Sequence, residues 1–174
     1  NKSYVMYYLR NQVCLFSLLV LGLFLSACYS FQGASIPVET NTYYVDLFQN
    51  NALEVVPNLD ISFTESLKNK IREQSRLRYN DTEPDIEFSG SITEYKVTFM
   101  APEPGETAAF NQLRMTVMVD YINNKKEEDK WEQRFSFFVD FSNDENLIDI
   151  QDDLITALNN QLVEDIFNKA FNNW

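Results

Sequence analysis

The sequence predicts an α+β fold: a four-stranded, mostly antiparallel or mixed sheet packed by two helices in the order β-α-β-β-β-α, as a two-layer sandwich. Three observations lead there. Leu113 to Tyr121 and Trp131 to Phe141 alternate apolar and polar residues with period two, as in strands with one buried face. Apolar residues recur at helical spacing from about Phe63 to Leu77 and again from about Leu147 to Asn172. The chain beyond Ala27 is long enough for one core and does not call for a second domain.

The elements follow in chain order. Lys2 and Arg10 precede Val13 to Leu25, an uncharged apolar run of 13 residues that matches an export signal and falls short of the roughly 20 a helix needs to span a bilayer. Leu25-Ser26-Ala27-Cys28 then has the form of a lipobox, in which small residues fit a signal peptidase and a thiol accepts diacylglycerol. Cleavage is expected between Ala27 and Cys28, with residues 1–27 removed, residues 28–37 a lipidated tether and residues 38–174 one domain. The lipid on Cys28 is the only cofactor expected. Cys14 lies in the segment to be removed, so no disulfide is expected in the mature chain. Neither Tyr29 nor the residues just after it are acidic, which favours an outer-membrane location facing the periplasm.

Thr42 to Phe48 is β-rich and apolar in both phases, and Asn50-Asn51 turns the chain. Ser62-x-x-Glu65 has capping-box spacing and places the start of the first helix there, with Phe63, Leu67 and Ile71 on its buried face. From Ile86 the pattern has period two but changes phase near Thr93 and Glu94, which predicts a bulge. Pro102, Pro104 and Gly105 mark a loop, and Asn123 to Lys130 is a charged turn between the last two strands of an antiparallel meander. On the final helix Ile150, Leu154 and Leu158 form one stripe, while Val163, Phe167, Phe171 and Trp174 lie nearly opposite. Either the helix bends so that both stripes meet the protein's own core, or the aromatic stripe docks on a partner.

Composition excludes several chemistries. The sequence has no histidine, so Ser-His-Asp and Cys-His catalysis and His-ligated zinc are ruled out, and no enzymatic activity is expected. Without Lys2 and Arg10 the mature chain keeps twelve basic residues against 26 acidic ones, a net charge of -14 that argues against nucleic acid as a partner. Five of those twelve, Lys68, Lys70, Arg72, Arg76 and Arg78, fall within the first helix region. Lys68, Arg72 and Arg76 share one face at i, i+4 and i+8: either a solvated face pairing with Glu65 and Glu73, or a stripe holding lipid phosphates. The acids at Asp144-Glu145, Asp149, Asp152-Asp153 and Glu164-Asp165 suit a helix start and its polar face better than a metal site.

Several stretches resemble the lipopolysaccharide-assembly lipoprotein family LptE in its Bacteroidota form. They are Val45-Asp46-Leu47-Phe48-Gln49-Asn50-Asn51-Ala52, Phe63-Thr64-Glu65-Ser66-Leu67-Lys68, Phe88-Ser89-Gly90-Ser91-Ile92, Leu113-Arg114-Met115-Thr116-Val117, and the ending from Gln161 to Trp174. Tyr29 departs from the glycine expected soon after the lipidated cysteine. The resemblance implies a two-helix, four-stranded sandwich that plugs an LptD-type outer-membrane β-barrel and helps lipopolysaccharide reach the outer leaflet. The residues themselves leave a second class open, a stand-alone periplasmic lipoprotein with a lipid-binding or structural role. Phe167, Phe171 and Trp174 are the candidates for barrel contact, and Lys68, Arg72 and Arg76 for lipopolysaccharide.

Overall fold

The computed structural model describes residues 36–101 and 109–172. Its elements are β1 (Thr42–Val45), β2 (Gln49–Asn50), α1 (Leu59–Gln74), β3 (Arg78–Tyr79), β4 (Ile86–Met100), β5 (Phe110–Asn123), β6 (Lys130–Ser142) and α2 (Leu147–Phe171). The class is the predicted one, α+β with two helices on a mixed sheet, but the sheet has six strands where the sequence pattern suggests four. The additions are β2 and β3, two residues each and too short to leave a periodic signal.

The strand order is β3-β1-β4-β5-β6, with β2 also pairing to β4. β1 runs parallel to both β3 and β4, while β4, β5 and β6 form the expected antiparallel meander. The predicted bulge is present as a register shift between Ile92 and Glu94. Beyond it β4 continues to Met100, and the pairing of β1 and β2 has already stopped at Ile92. Among the described residues, the outer sides of β6 and of β4 above Ile92 therefore have no neighbouring strand.

Helix α1 begins at Leu59, four residues earlier than the capping-box reading places it. Asn58, in the left-handed conformation, turns the chain into the helix after Pro57, and Ser62 lies inside it, where its carbonyl accepts from the Ser66 hydroxyl. The Ser62-Glu65 spacing is thus coincidental. The helix stops at Gln74, since Ser75 is extended and leads into β3.

Both helices cover one face of the sheet. Phe63, Leu67 and Ile71 from α1, Ile86, Phe88 and Ile92 from β4, and Leu113, Met115 and Val117 from β5 are fully buried. Helix α2 runs 25 residues and packs on both α1 and the sheet, so it needs two apolar stripes. Toward α1, Asn159 donates to Ser62 Oγ and Glu164 pairs with Lys70; toward the sheet, Phe171 lies 6.1 Å from Phe88. Gly90 has φ +154°, and a Cβ there would lie 2.1 Å from the Met118 carbonyl oxygen and 2.8 Å from Phe48, so only glycine allows β4 and β5 to approach this closely.

Candidate functional site

The helices leave the other face of the sheet open, and antiparallel register arranges its side chains in rows. Lys96, Arg114 and Phe138 make one row, Glu94, Thr116 and Ser136 the next, and Ser91, Met118 and Arg134 another. The rows frame a hollow of about 670 Å³ whose wall includes Lys96, Arg114, Arg134, Thr93, Thr116 and Ser136, with Leu53 and Glu54 contributed by the loop after β2.

The floor of this hollow is hydrogen-bonded. The Thr116 hydroxyl, on a residue 5% exposed, donates to Glu94 Oε2 at 2.9 Å and lies 3.0 Å from Ser136 Oγ, while Thr93 Oγ1 donates to the Thr116 carbonyl. The Arg114 guanidinium sits 5.1 Å from the Phe138 ring centre and donates to Gln112 Oε1, which fixes its plane. None of Lys96, Arg114 and Arg134 forms an ion pair among the described residues. Three cations without an ion pair among the described residues thus line the hollow with Glu54, Glu94, hydroxyls and an exposed leucine, and their guanidinium and ammonium groups can meet an anionic group carried on an amphipathic molecule. Sequence inspection alone passes over them because they fall in the polar phase of the strands, which looks like ordinary solvated surface; the signal is that three residues of a scarce charge share one phase of three adjacent strands.

The residues singled out from sequence are distributed differently. Lys68 pairs with Glu65 at 3.0 Å and lies over the Tyr79 ring, and Arg72 donates to Asn69 Oδ1. Arg76 turns to the chain entering the domain, donating to the carbonyls of Ile36 and Pro37 and to Asn41 Oδ1. Each of the three has a local partner. Phe167 and Phe171, considered for a partner interface, are 4% and 3% exposed; their rings meet at 4.8 Å inside the core, because α2 has two neighbours to pack against. This corrects the picture of an aromatic stripe free to dock. Ala27, Cys28 and Trp174 lie outside the described residues.

A second polar cluster secures the same entry segment. Asp85 accepts from the backbone N–H groups of Asn41 at 2.7 Å and Thr42 at 3.1 Å, and pairs with Lys125 at 3.1 Å. Burial works to raise its pKa, but these donors together outweigh burial and hold the carboxyl below its ordinary value. Glu164 is likewise held low, chiefly by its hydrogen bond from Lys70.

Among the described residues no helix is long and apolar enough to cross a membrane. Three solved structures share the fold, each with a TM-score of 0.50. The hypothetical protein CT253 from Chlamydia trachomatis is 11% identical, with 77% of this chain and 99% of that one covered. A minor lipoprotein from Acinetobacter baumannii is 9% identical, with 74% and 91% covered. The rare lipoprotein B from Shewanella oneidensis is 12% identical, with 74% and 92% covered. A search of the curated proteins finds no match. The family model described as LptE, lipopolysaccharide-assembly, matches residues 40–170, most of the chain and nearly all of the described domain. By that match the chain belongs to the LptE family of lipopolysaccharide-assembly proteins.

Proposed function

We propose that this protein is an outer-membrane lipoprotein, anchored by diacylglycerol on Cys28 after cleavage at Ala27, that plugs and supports an LptD-type β-barrel during insertion of lipopolysaccharide into the outer leaflet. Family membership supports the assembly role. The observation that carries the contact with lipopolysaccharide is the open-face hollow, where Lys96, Arg114 and Arg134 have no ion pair among the described residues, in a domain of net charge -14. Charge-assisted hydrogen bonds from guanidinium and ammonium groups suit the phosphates of the lipid, and Leu53 at the rim offers apolar contact.

The experiment compares Arg114→Gln/Arg134→Gln with Lys68→Gln/Arg72→Gln in the full chain, measuring lipopolysaccharide binding and recovery of the barrel by pull-down. The open-face pair should lose about tenfold or more in binding, as expected for two charged hydrogen bonds at roughly 1.5–3 kcal/mol each partly replaced by water. The helix pair should lose little. Equal loss in both would move the contact to α1, and failure to recover any barrel with wild type would leave a stand-alone lipoprotein. Cys28→Ser should abolish incorporation of labelled fatty acid; continued labelling would remove the anchor from the proposal.

A further inference from the structure

At the end of the sheet where the chain enters the domain, a separate cavity of about 220 Å³ has a lining that includes Thr40, Asp129, Trp131, Lys126 and Lys169, with the Glu39 carboxylate and the Asp85-paired Lys125 also on its wall. Tyr121 and Trp131 occupy facing positions on β5 and β6, and their rings stack at 5.2 Å with an angle of 13°; Tyr121 is buried against Phe88, so the partly buried Trp131 is the ring the cavity can use. Asp129 is fixed through Oδ2 by Asn123 Nδ2 at 2.9 Å, which leaves Oδ1 to accept a further hydrogen bond. Thr40 is 2% exposed, and its hydroxyl has no partner among the described residues. A buried hydroxyl without a partner is costly, and a ligand group in the cavity would relieve it. Lys126 and Lys169 are exposed, and neither is in an ion pair among the described residues.

The geometry points to a binding site for a single sugar ring carrying an acidic substituent. The volume falls below the roughly 300 Å³ at which drug-sized ligands begin to fit, so one ring is the natural size. A pyranose presents a C–H face that can pack on the Trp131 ring, and hydroxyls that can donate to Asp129 Oδ1 and exchange a hydrogen bond with Thr40. Its acid group would meet the ammonium groups of Lys126 and Lys169. An inorganic anion would make no use of the Trp131 ring, and an apolar ligand would strand Asp129 and both lysines. The site is distinct from the open-face hollow, with which it shares no lining residue, and does not depend on the barrel role.

Calorimetric titration of the lipidated full chain in detergent with glucuronate, glucose 1-phosphate, glucose and inorganic phosphate tests the inference. At least one acidic sugar should bind tenfold or more tightly than both glucose and phosphate; which one does so distinguishes carboxylate-bearing from phosphate-bearing glycans. In Lys126→Gln/Lys169→Gln that preference should fall to the glucose level with the melting temperature unchanged, since both side chains are exposed. No saturable binding of any sugar, equal binding of glucose and the acids, phosphate binding as tight as the sugars, or a double variant that keeps the preference would each overturn it.

Discussion

Asp85 and Gly90 show how much single positions in β4 and its approach decide. Asp85 terminates the backbone of the entering chain, and Asp85→Ala would leave the Asn41 and Thr42 N–H groups without their acceptor. We expect a loss of about 1–3 kcal/mol in denaturant unfolding at neutral pH. The sign of the pH dependence follows from a carboxyl whose pKa is lower folded than unfolded: its contribution is complete above the ordinary value of 3.8 and disappears as pH falls through the folded value. The difference between wild type and variant should therefore shrink in that acid range, and a gap that persists there would show that the carboxylate's charge is not the cause. Gly90→Ala forces a methyl group against the Met118 carbonyl and the Phe48 ring, with φ in a region that L residues avoid. Strain and overpacking together should cost on the order of 2–4 kcal/mol, read as a lower melting temperature.

Elements differ in how plainly the sequence announces them. The alternation in β5 and β6 places Met115, Val117, Phe135 and Phe141 on the buried face without ambiguity, because a one-residue slip would expose all of them. The phase change in β4 likewise locates its bulge. β2 and β3 escape notice because a two-residue parallel strand depends on its neighbour for definition, and the helix start is misplaced because Asn58 acts through its backbone conformation rather than a side-chain cap. The two stripes of α2 are visible, but whether the second meets the protein's own α1 and sheet or another protein depends on where those elements lie, which no local pattern reports. Phe171→Ala tests the structural answer. Truncating a ring packed on Phe88 and Phe167 should cost about 3–5 kcal/mol, and an unchanged melting temperature would return the residue to the surface.

At the scale of the molecule, charge and coverage are unevenly shared. Residues 28–174 carry a net -14, which repels anions out to about 10 Å at 0.1 M salt, so the three cations of the open face must act at contact distance. Coverage is one-sided as well, with both helices on one face and the outer sides of β3, of β6 and of β4 above Ile92 lacking a neighbouring strand among the described residues. The outer edge of β6 divides in two. Its first part carries Lys130, Glu132 and Arg134, charges that discourage another chain from adding a strand, whereas its second part, Phe135 to Phe141, holds Phe135, Phe137, Phe138, Val139 and Phe141 with Asp140 as the single charge. Once unfolding frees its phenylalanines, that half is a template for strand addition and amyloid-like growth, and Asp140 is its gatekeeper, so removing that one charge should raise aggregation more than removing Glu132.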